Sequence, residues 1–470
     1  MLFNNPKFFI FLLTVIVLLL FGNKTYKKFV LLISSYVFYG LWDWRFLSLI
    51  ALSTIIDFLL GIQINKTVST KKRKILLLVS VVSNLGILAF FKYYNFFIDS
   101  LQEFIFLFSD NSINYNTLNI ILPVGISFYT FQTMSYTIDI YRKKLNPSNS
   151  VLDFAIFVAF FPQLVAGPIE RAKNLLHQIA NFNGIKIQNI KNSFILFFTG
   201  YIQKVLIADN LAPISDNCFS NFNELDSIYL ISGLIVFSFQ IYFDFAGYSN
   251  IARGIARIFG IELMINFNQP YFSSNLSEFW KRWHISLSTW LKDYLYIPLG
   301  GNKKGEFRTY NNLMITMLLG GLWHGASWNF VLWGGLHGFY LILYKLFDSN
   351  DKELKSKLPI KIINVIFVYF LVLLTWLPFR TSNISDTYNF LAGVINWSGI
   401  IPISELIFIL FLFIILIIID LPAYYYKSHE YLLKLPRWFQ FSIYFIGILG
   451  IALTFLLNQN DVRPFIYFQF

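Results

Sequence analysis

The 470-residue chain has one cysteine, Cys218, and only 13% of its residues carry charge. A single thiol excludes a disulfide scaffold and any zinc site built on several thiolates, and it leaves the redox compartment open. A charge fraction about half that of soluble domains excludes an ordinary cytosolic enzyme, a disordered chain and a nucleic-acid-binding domain. Histidine is also scarce, at five residues, none with ligand-like spacing to a carboxylate, so no metal is expected. No G-x-x-x-x-G-K-[ST] phosphate loop occurs. The chain shows no low-complexity tail, no flexible linker and no inverted repeat of the transporter kind. One membrane-embedded domain, residues 1–470, is the simplest partition.

What fills the chain instead is apolar. Hydrophobic residues make up 56%, with 54 Phe, 27 Tyr and 11 Trp, and the mean hydropathy is +0.58. A membrane-crossing helix needs roughly 17–25 mainly apolar residues. Ten stretches qualify, starting near Phe8, Tyr26, Arg45, Ile75, Leu118, Asn192, Ile228, Ile360, Ile403 and Phe441. Residues 313–347 are long enough for two more spans and break at His324-Gly325, which reads as a tight helical hairpin. Residues 151–168 carry Pro162, Gly167 and Pro168, whose unpaired backbone groups only protein or water could cover, so this stretch reads as re-entrant. The expected fold is therefore all-α, a polytopic integral membrane protein of about 10–12 transmembrane helices plus re-entrant segments. The first run lacks a small-x-small cleavage site and reads as an uncleaved anchor.

The net charge of +12 has an unexceptional origin. Seven segments (22–28, 65–74, 142–144, 170–191, 253–308, 345–361 and 427–437) hold 31 of the 37 Lys and Arg. Twelve crossings put all seven on one side, which the positive-inside rule makes the cytoplasm. Both termini and the loops around 99–119 and 216–226 then face outward. The partner this implies is lipid, in a membrane crossed many times, and no nucleic acid.

Polar groups at membrane depth are costly and mark candidate sites. Most lie in residues 240–338. The run Gln240–Ser249 holds Asp244, a candidate for capping, ion pairing or lining a substrate pocket. Asn266 follows, and then residues 278–294, a helix-spaced segment with Lys281, Arg282, Trp283, His284 and Asp293. Its charges alternate with aromatics all round, which predicts one helix half sunk at the cytoplasmic interface with Lys and Arg snorkelling to water. In Gly320–Trp328, His324 sits at an apolar helix end beside Trp323 and among small residues that permit close backbone approach. Such a pocket disfavours the charged ring, and a neutral imidazole can take a proton from an attacking hydroxyl. An interhelical hydrogen bond is the competing role for His324 and for His284. His337, mid-helix in an apolar run, reads as packing; His177 and His429, in basic stretches, read as solvated; Lys281 and Arg282 read equally as interface anchors.

These blocks carry a resemblance. Phe243–Ser249, Asn266–Tyr271, Trp280–Leu291 running on to Tyr294–Gly301, and Gly320–Gly325 strongly resemble the membrane-bound O-acyltransferase superfamily. Pro123–Phe128 and Phe161–Pro168 share the likeness. Within the superfamily the chain is similar to the bacterial alginate O-acetyltransferase branch, which includes peptidoglycan O-acetyltransferases and, further off, teichoic-acid D-alanyltransferases. The resemblance implies a ring-like helical core with a funnel or tunnel. It implies no tightly bound cofactor but a cytoplasmic acyl thioester donor, acetyl-coenzyme A or an acyl carrier. It makes His324 the catalytic residue and His284 the second histidine, with Asp244, Asn266, Lys281, Arg282, Trp283, Asp293 and Trp323 as candidates around the donor. It also implies an extracytoplasmic hydrolase-fold partner, within a polysaccharide modification complex, that places the acyl group on a polysaccharide hydroxyl. D-alanyl transfer to teichoic acid remains open, as do a polysaccharide or lipid permease and a structural partner that only docks an external enzyme.

The outward C-terminus adds a point of its own. It ends Arg463-Pro464-Phe465-Ile466-Tyr467-Phe468-Gln469-Phe470. A phenol, with pKa about 10, leaves far more readily than a sugar alcohol. An acyl group parked on Tyr467 would keep enough transfer potential to acylate a sugar outside. The tail also resembles the Phe-Ile-Tyr-x-x-Phe end of the small relay protein used with D-alanyltransferases. A tail that merely lies at the interface is the alternative.

Overall fold

The computed structural model describes residues 2–106, 108, 117–347, 357–457 and 463–468. Among these no residue is in a β-strand. Eight stretches (24–66, 70–106, 187–220, 227–258, 328–347, 358–380, 403–426 and 437–457) are helical, long and apolar enough to cross a bilayer. The chain is an all-α, multi-pass membrane protein. It packs as two compact units, Met1–Ile190 with Ile255–Met264, and Lys191–Gly254 with Ile265–Phe470.

The first unit contains α1 (Pro6–Leu20), α2 (Lys24–Asp43), α3 (Leu47–Lys66), α4 (Thr70–Leu88), α5 (Tyr94–Phe106), α6 (Ile126–Tyr141), α7 (Val151–Ala159), α8 (Phe161–Leu164) and α9 (Ala172–Ala180). Asn5, Asn23, Ser69 and Ser150 cap α1, α2, α4 and α7 by accepting from first-turn N–H groups, which would otherwise lack a partner. Asp43 is extended (φ −158°, ψ 111°), so residues 24–66 hold two helices, as the sequence suggests. The span expected from Leu118 is different. Residues 118–123 are not helical, and α6 starts only after Gly125, whose φ of 76° is left-handed. Pro123 has no N–H to give a helix, and the apolar signal there belongs to irregular chain leading into a buried helix. Residues 151–168 form α7 and the one-turn α8, broken at Phe160 (φ −53°, ψ 105°) and buried from Asp153 onward. Protein therefore covers the interrupted backbone, as bilayer depth demands.

The second unit is built on α10 (Ile190–Tyr201), a π-helical turn (Ile202–Ala208), α11 (Asp209–Ser220) and the long α12 (Ser227–Ile258). Helix α12 is buried nearly all round, so its polar residues face other helices rather than lipid. Next come α13 (Leu276–Arg282) and α14 (Ile285–Leu291). The predicted single interfacial helix over 278–294 is thus corrected. The chain is extended at Trp283, turns left-handed at His284 (φ 43°, ψ 54°), and buries both residues completely. Alternating aromatics and charges are satisfied here by a break that sends the aromatics into the core.

Helices α15 (Glu306–His324) and α16 (Trp328–Phe347) form the hairpin expected from the sequence, α15 ending on His324 and Gly325 being extended. Their backbones touch: a Cβ on Gly321 would lie 2.1 Å from the Phe330 carbonyl oxygen. Helices α17 (Leu358–Arg380), α18 (Ile384–Ile395), α19 (Ile403–Tyr426) and α20 (Arg437–Leu457) follow, and Ile466–Phe468 form a last 3₁₀ turn.

Candidate functional site

All the groups singled out as chemically active meet inside the second unit. His324, on the last turn of α15, is 3% exposed. Its ring is surrounded by Trp323 (5.1 Å between centroids), Trp333 (4.9 Å), Phe379 (5.4 Å) and Tyr467 (5.5 Å). The His284 ring lies 6.3 Å from both His324 and Tyr467. Two imidazoles and a phenol thus share one aromatic-walled, water-poor pocket, in which electrostatic effects are stronger than in water.

Asn266 sets the orientation of His284. The Ser286 N–H (3.3 Å) and hydroxyl (2.9 Å) both donate to Asn266 Oδ1, which identifies that atom as the oxygen. His284 Nδ1 lies 3.1 Å from the same oxygen and must therefore carry the proton as donor. Nε2 is then the ring's lone-pair nitrogen. The Asn266 side-chain amide donates in turn to Ser249 Oγ at 3.3 Å, and the main-chain carbonyl of Asn266 accepts from the Ile285 N–H at 2.9 Å. The left-handed backbone of His284, uncommon away from glycine, is held by these bonds and by complete burial.

The C-terminal segment reaches the same pocket. Tyr467 packs on Phe245 (4.5 Å) and Phe465 (5.4 Å), and Phe465 packs on Phe245 (5.2 Å) and Tyr248 (4.9 Å). Asp244 accepts from the Ile466 N–H at 2.9 Å and pairs with Lys204 at 3.0 Å. Lys204 also pairs with Asp209 at 2.6 Å and donates to the Pro464 carbonyl at 3.4 Å. Of the alternatives open in the sequence, Asp244 takes ion pairing, and its second partner is the tail. The approach is close because Gly200 of α10 faces Gly247 of α12, where a Cβ on either would sit within 2.7 Å of the other's carbonyl oxygen. Arg463 and Arg380 both reach Asp216, at 3.1 and 2.9 Å.

Other candidates lie elsewhere. Trp283 is wholly buried, stacked on Phe279 (5.7 Å) and against Trp376 (4.9 Å) as a wall behind His284. Lys281 is exposed. Arg282 pairs with Glu278 at 2.9 Å, donates to the Asn268 carbonyl and stands 5.2 Å over the Tyr424 ring. Both fit the anchor reading. Asp293 is half-buried in the π-helical turn Lys292–Tyr296, beyond α14. His337 packs among Trp280 (5.0 Å), Trp333 (4.7 Å) and Phe279 (6.1 Å), the expected role. His177 is exposed as expected, but His429 is not simply solvated. It sits between Arg253, which donates to Nδ1 at 3.0 Å, and Gln269. Burial, and then the Arg253 charge, push its pKa down to about 3.

Sequence reasoning passed over Lys204, Asp209, Trp333 and Phe379. For Lys204 a signal existed, a lone cation in the apolar run Ser193–Ala208. Six Lys and Arg lie outside the seven basic segments, and three of these, Lys204, Arg380 and Arg463, meet carboxylates beside the tail.

The chain is similar to known proteins over most of its length. The membrane-bound O-acyltransferase family profile matches residues 147–379. A probable alginate O-acetylase of Azotobacter vinelandii is 41% identical over 397 residues, covering 84% of this chain and 78% of the relative. A peptidoglycan O-acetyltransferase of Helicobacter pylori is 35% identical over 432 residues, covering 85% and 81%. A teichoic acid D-alanyltransferase of Streptococcus thermophilus is 30% identical over 248 residues, covering 50% and 58%.

Proposed function

We propose that this chain, which belongs to the membrane-bound O-acyltransferase family, moves acetyl groups from a cytoplasmic thioester across a bacterial inner membrane for O-acetylation of a surface or secreted polysaccharide. Its relatives at 35–41% identity over most of the chain are named for alginate and peptidoglycan acetylation, whereas the D-alanyltransferase matches half of it. The observation that carries the reading is the meeting of His284, His324 and Tyr467 in one buried pocket.

In this reading His324 removes the Tyr467 phenol proton as the oxygen attacks the thioester carbonyl. The carbon–sulfur bond breaks, the thiolate takes the proton from the imidazolium, and an acetyl ester remains on the phenol. His284, with Nε2 as acceptor, is placed to bind a donor N–H or the leaving thiol. An external hydrolase-fold partner then passes the acetyl group to a sugar hydroxyl, and the phenol is restored. The donor is coenzyme A or an acyl carrier.

Deletion of the gene should remove O-acetyl groups from surface glycans in mass spectra. His324→Ala should insert normally and lose about 10²–10⁴-fold in transfer rate, the usual contribution of a positioned base. Tyr467→Phe keeps the ring and its packing and should be as defective. Acetyl mass on the C-terminal peptide should accumulate when the external partner is absent. Full glycan acetylation with Tyr467→Phe would falsify the relay and leave direct transfer through the protein.

A further inference from the structure

We propose that Lys204 and Asp244 form a main-chain clamp that holds the C-terminal segment docked in the register set by Phe465, so that position 467 alone is presented to His324. The proposal rests on the relay reading and adds how the acceptor is chosen.

The clamp uses no side chain of the segment it holds. Asp244 accepts a hydrogen bond from the Ile466 N–H, and Lys204 donates one to the Pro464 carbonyl, one residue either side of Phe465. Lys204 donates to Asp209 and to the Pro464 carbonyl and forms an ion pair with Asp244 at 3.0 Å. Asp244 divides its oxygens between Lys204 and the tail. The ion cluster is thus complete only when the tail is docked. Burying such ions is expensive, and an ion pair serving stability alone could be replaced by apolar side chains. Here the bonds to the tail account for keeping it.

A side chain supplies the register. One and four residues beyond Asp244, on the same helix, Phe245 and Tyr248 receive Phe465, which is 1% exposed, and Phe245 also touches Tyr467 and His284. Main-chain donors and acceptors recur at every residue, so the two bonds hold the segment in place, and the seat of Phe465 on Phe245 and Tyr248 decides which residues they meet. Ile466–Phe468 form a 3₁₀ turn, in which a step of one residue moves the chain about 2 Å along its axis and swings the side chain about a third of a turn round it. A phenol at 466 or 468 would then point away from the His324 pocket. Lys204 and Asp244 are therefore positioning residues, acting through the tail backbone.

Two measurements separate this from a merely structural ion pair. The first moves the hydroxyl while preserving composition. Tyr467→Phe/Phe468→Tyr and Tyr467→Phe/Ile466→Tyr each retain a tail phenol displaced by one residue. Acetyl on the C-terminal peptide, read by mass spectrometry, should fall about a hundredfold, as for an ångström-scale misplacement of a reacting group. Wild-type acetylation of a displaced phenol overturns the register.

The second reads docking without chemistry. In purified Cys218→Ser protein, Ile466→Cys places a thiol at a position 2% exposed when docked. Its maleimide labelling should be slow. Lys204→Met/Asp209→Leu/Asp244→Leu, an exchange of the whole ion cluster for apolar groups that often preserves folding, should speed labelling about tenfold or more as the tail opens locally. Asp244→Asn keeps an acceptor for the Ile466 N–H and should leave it slow. Unchanged elution on size exclusion shows that the triple variant is folded. Unchanged labelling in that variant overturns the clamp even where Tyr467 is still acetylated. Clamp-dependent labelling together with a fully active Tyr467→Phe overturns the relay instead, and with it the clamp's role in transfer.

Discussion

His284 owes its chemistry to a neighbour 18 residues earlier in the chain. Asn266 holds the proton on Nδ1 and leaves Nε2 as acceptor, so the two act as one device. Residues that work as a unit are not additive when removed. Asn266→Ala and His284→Ala should each lower transfer, and the double variant should be no slower than His284→Ala alone, measured as acetyl released from donor thioester. An additive loss would separate the two. Both were legible in the sequence as polar groups where lipid should be, and so was Asp244. The sequence did not disclose which partner each would take, because hydrogen bonding between distant segments leaves no periodic trace. Lys204 was missed for the opposite reason. It sits in an otherwise good span and was absorbed into it, although a cation in such a run demands a carboxylate partner.

At the scale of elements, the α15–α16 hairpin is the part that the sequence announces most clearly. Of the pairs Gly320-Gly321 and Gly334-Gly335 that flank His324-Gly325, Gly321 and Gly334 face each other, and small residues let helices approach within a membrane. The glycines differ in what they permit. Gly321→Ala would drive a methyl into the Phe330 carbonyl, and should cost about 1–3 kcal/mol by overpacking while displacing His324. Gly335→Ala would meet only Leu318 at 3.6 Å, an ordinary contact, and should be silent. Thermal unfolding in detergent, scored beside activity, checks the pair: a shift in Tm for Gly335→Ala equal to that for Gly321→Ala would refute the contrast. The segments 118–124 and 278–294 were misread because hydropathy reports burial, not backbone path. Pro123 and Gly125 break the first, and the left-handed His284 breaks the second, where no glycine or proline gave warning.

At the scale of the whole molecule, the asymmetry of basic residues gives an orientation that can be tested directly. A reporter fused after Lys74 should behave as cytoplasmic and one at the C-terminus as external. A cytoplasmic C-terminus would exclude an acetylated tail that meets an external partner. The docked tail has a further consequence, in kinetics. An acceptor joined to its own enzyme is present at an effective concentration of order millimolar, whatever the abundance of the protein in the membrane. Acetylation of Tyr467 is then a first-order event within one chain, and another chain's tail must compete against that local excess. Co-expressing His324→Ala with Tyr467→Phe supplies every functional group, but on different polypeptides. Glycan acetylation should stay near the level of either variant alone, because each intact tyrosine is tethered to a pocket without its base, and each intact base faces a tail without a nucleophile.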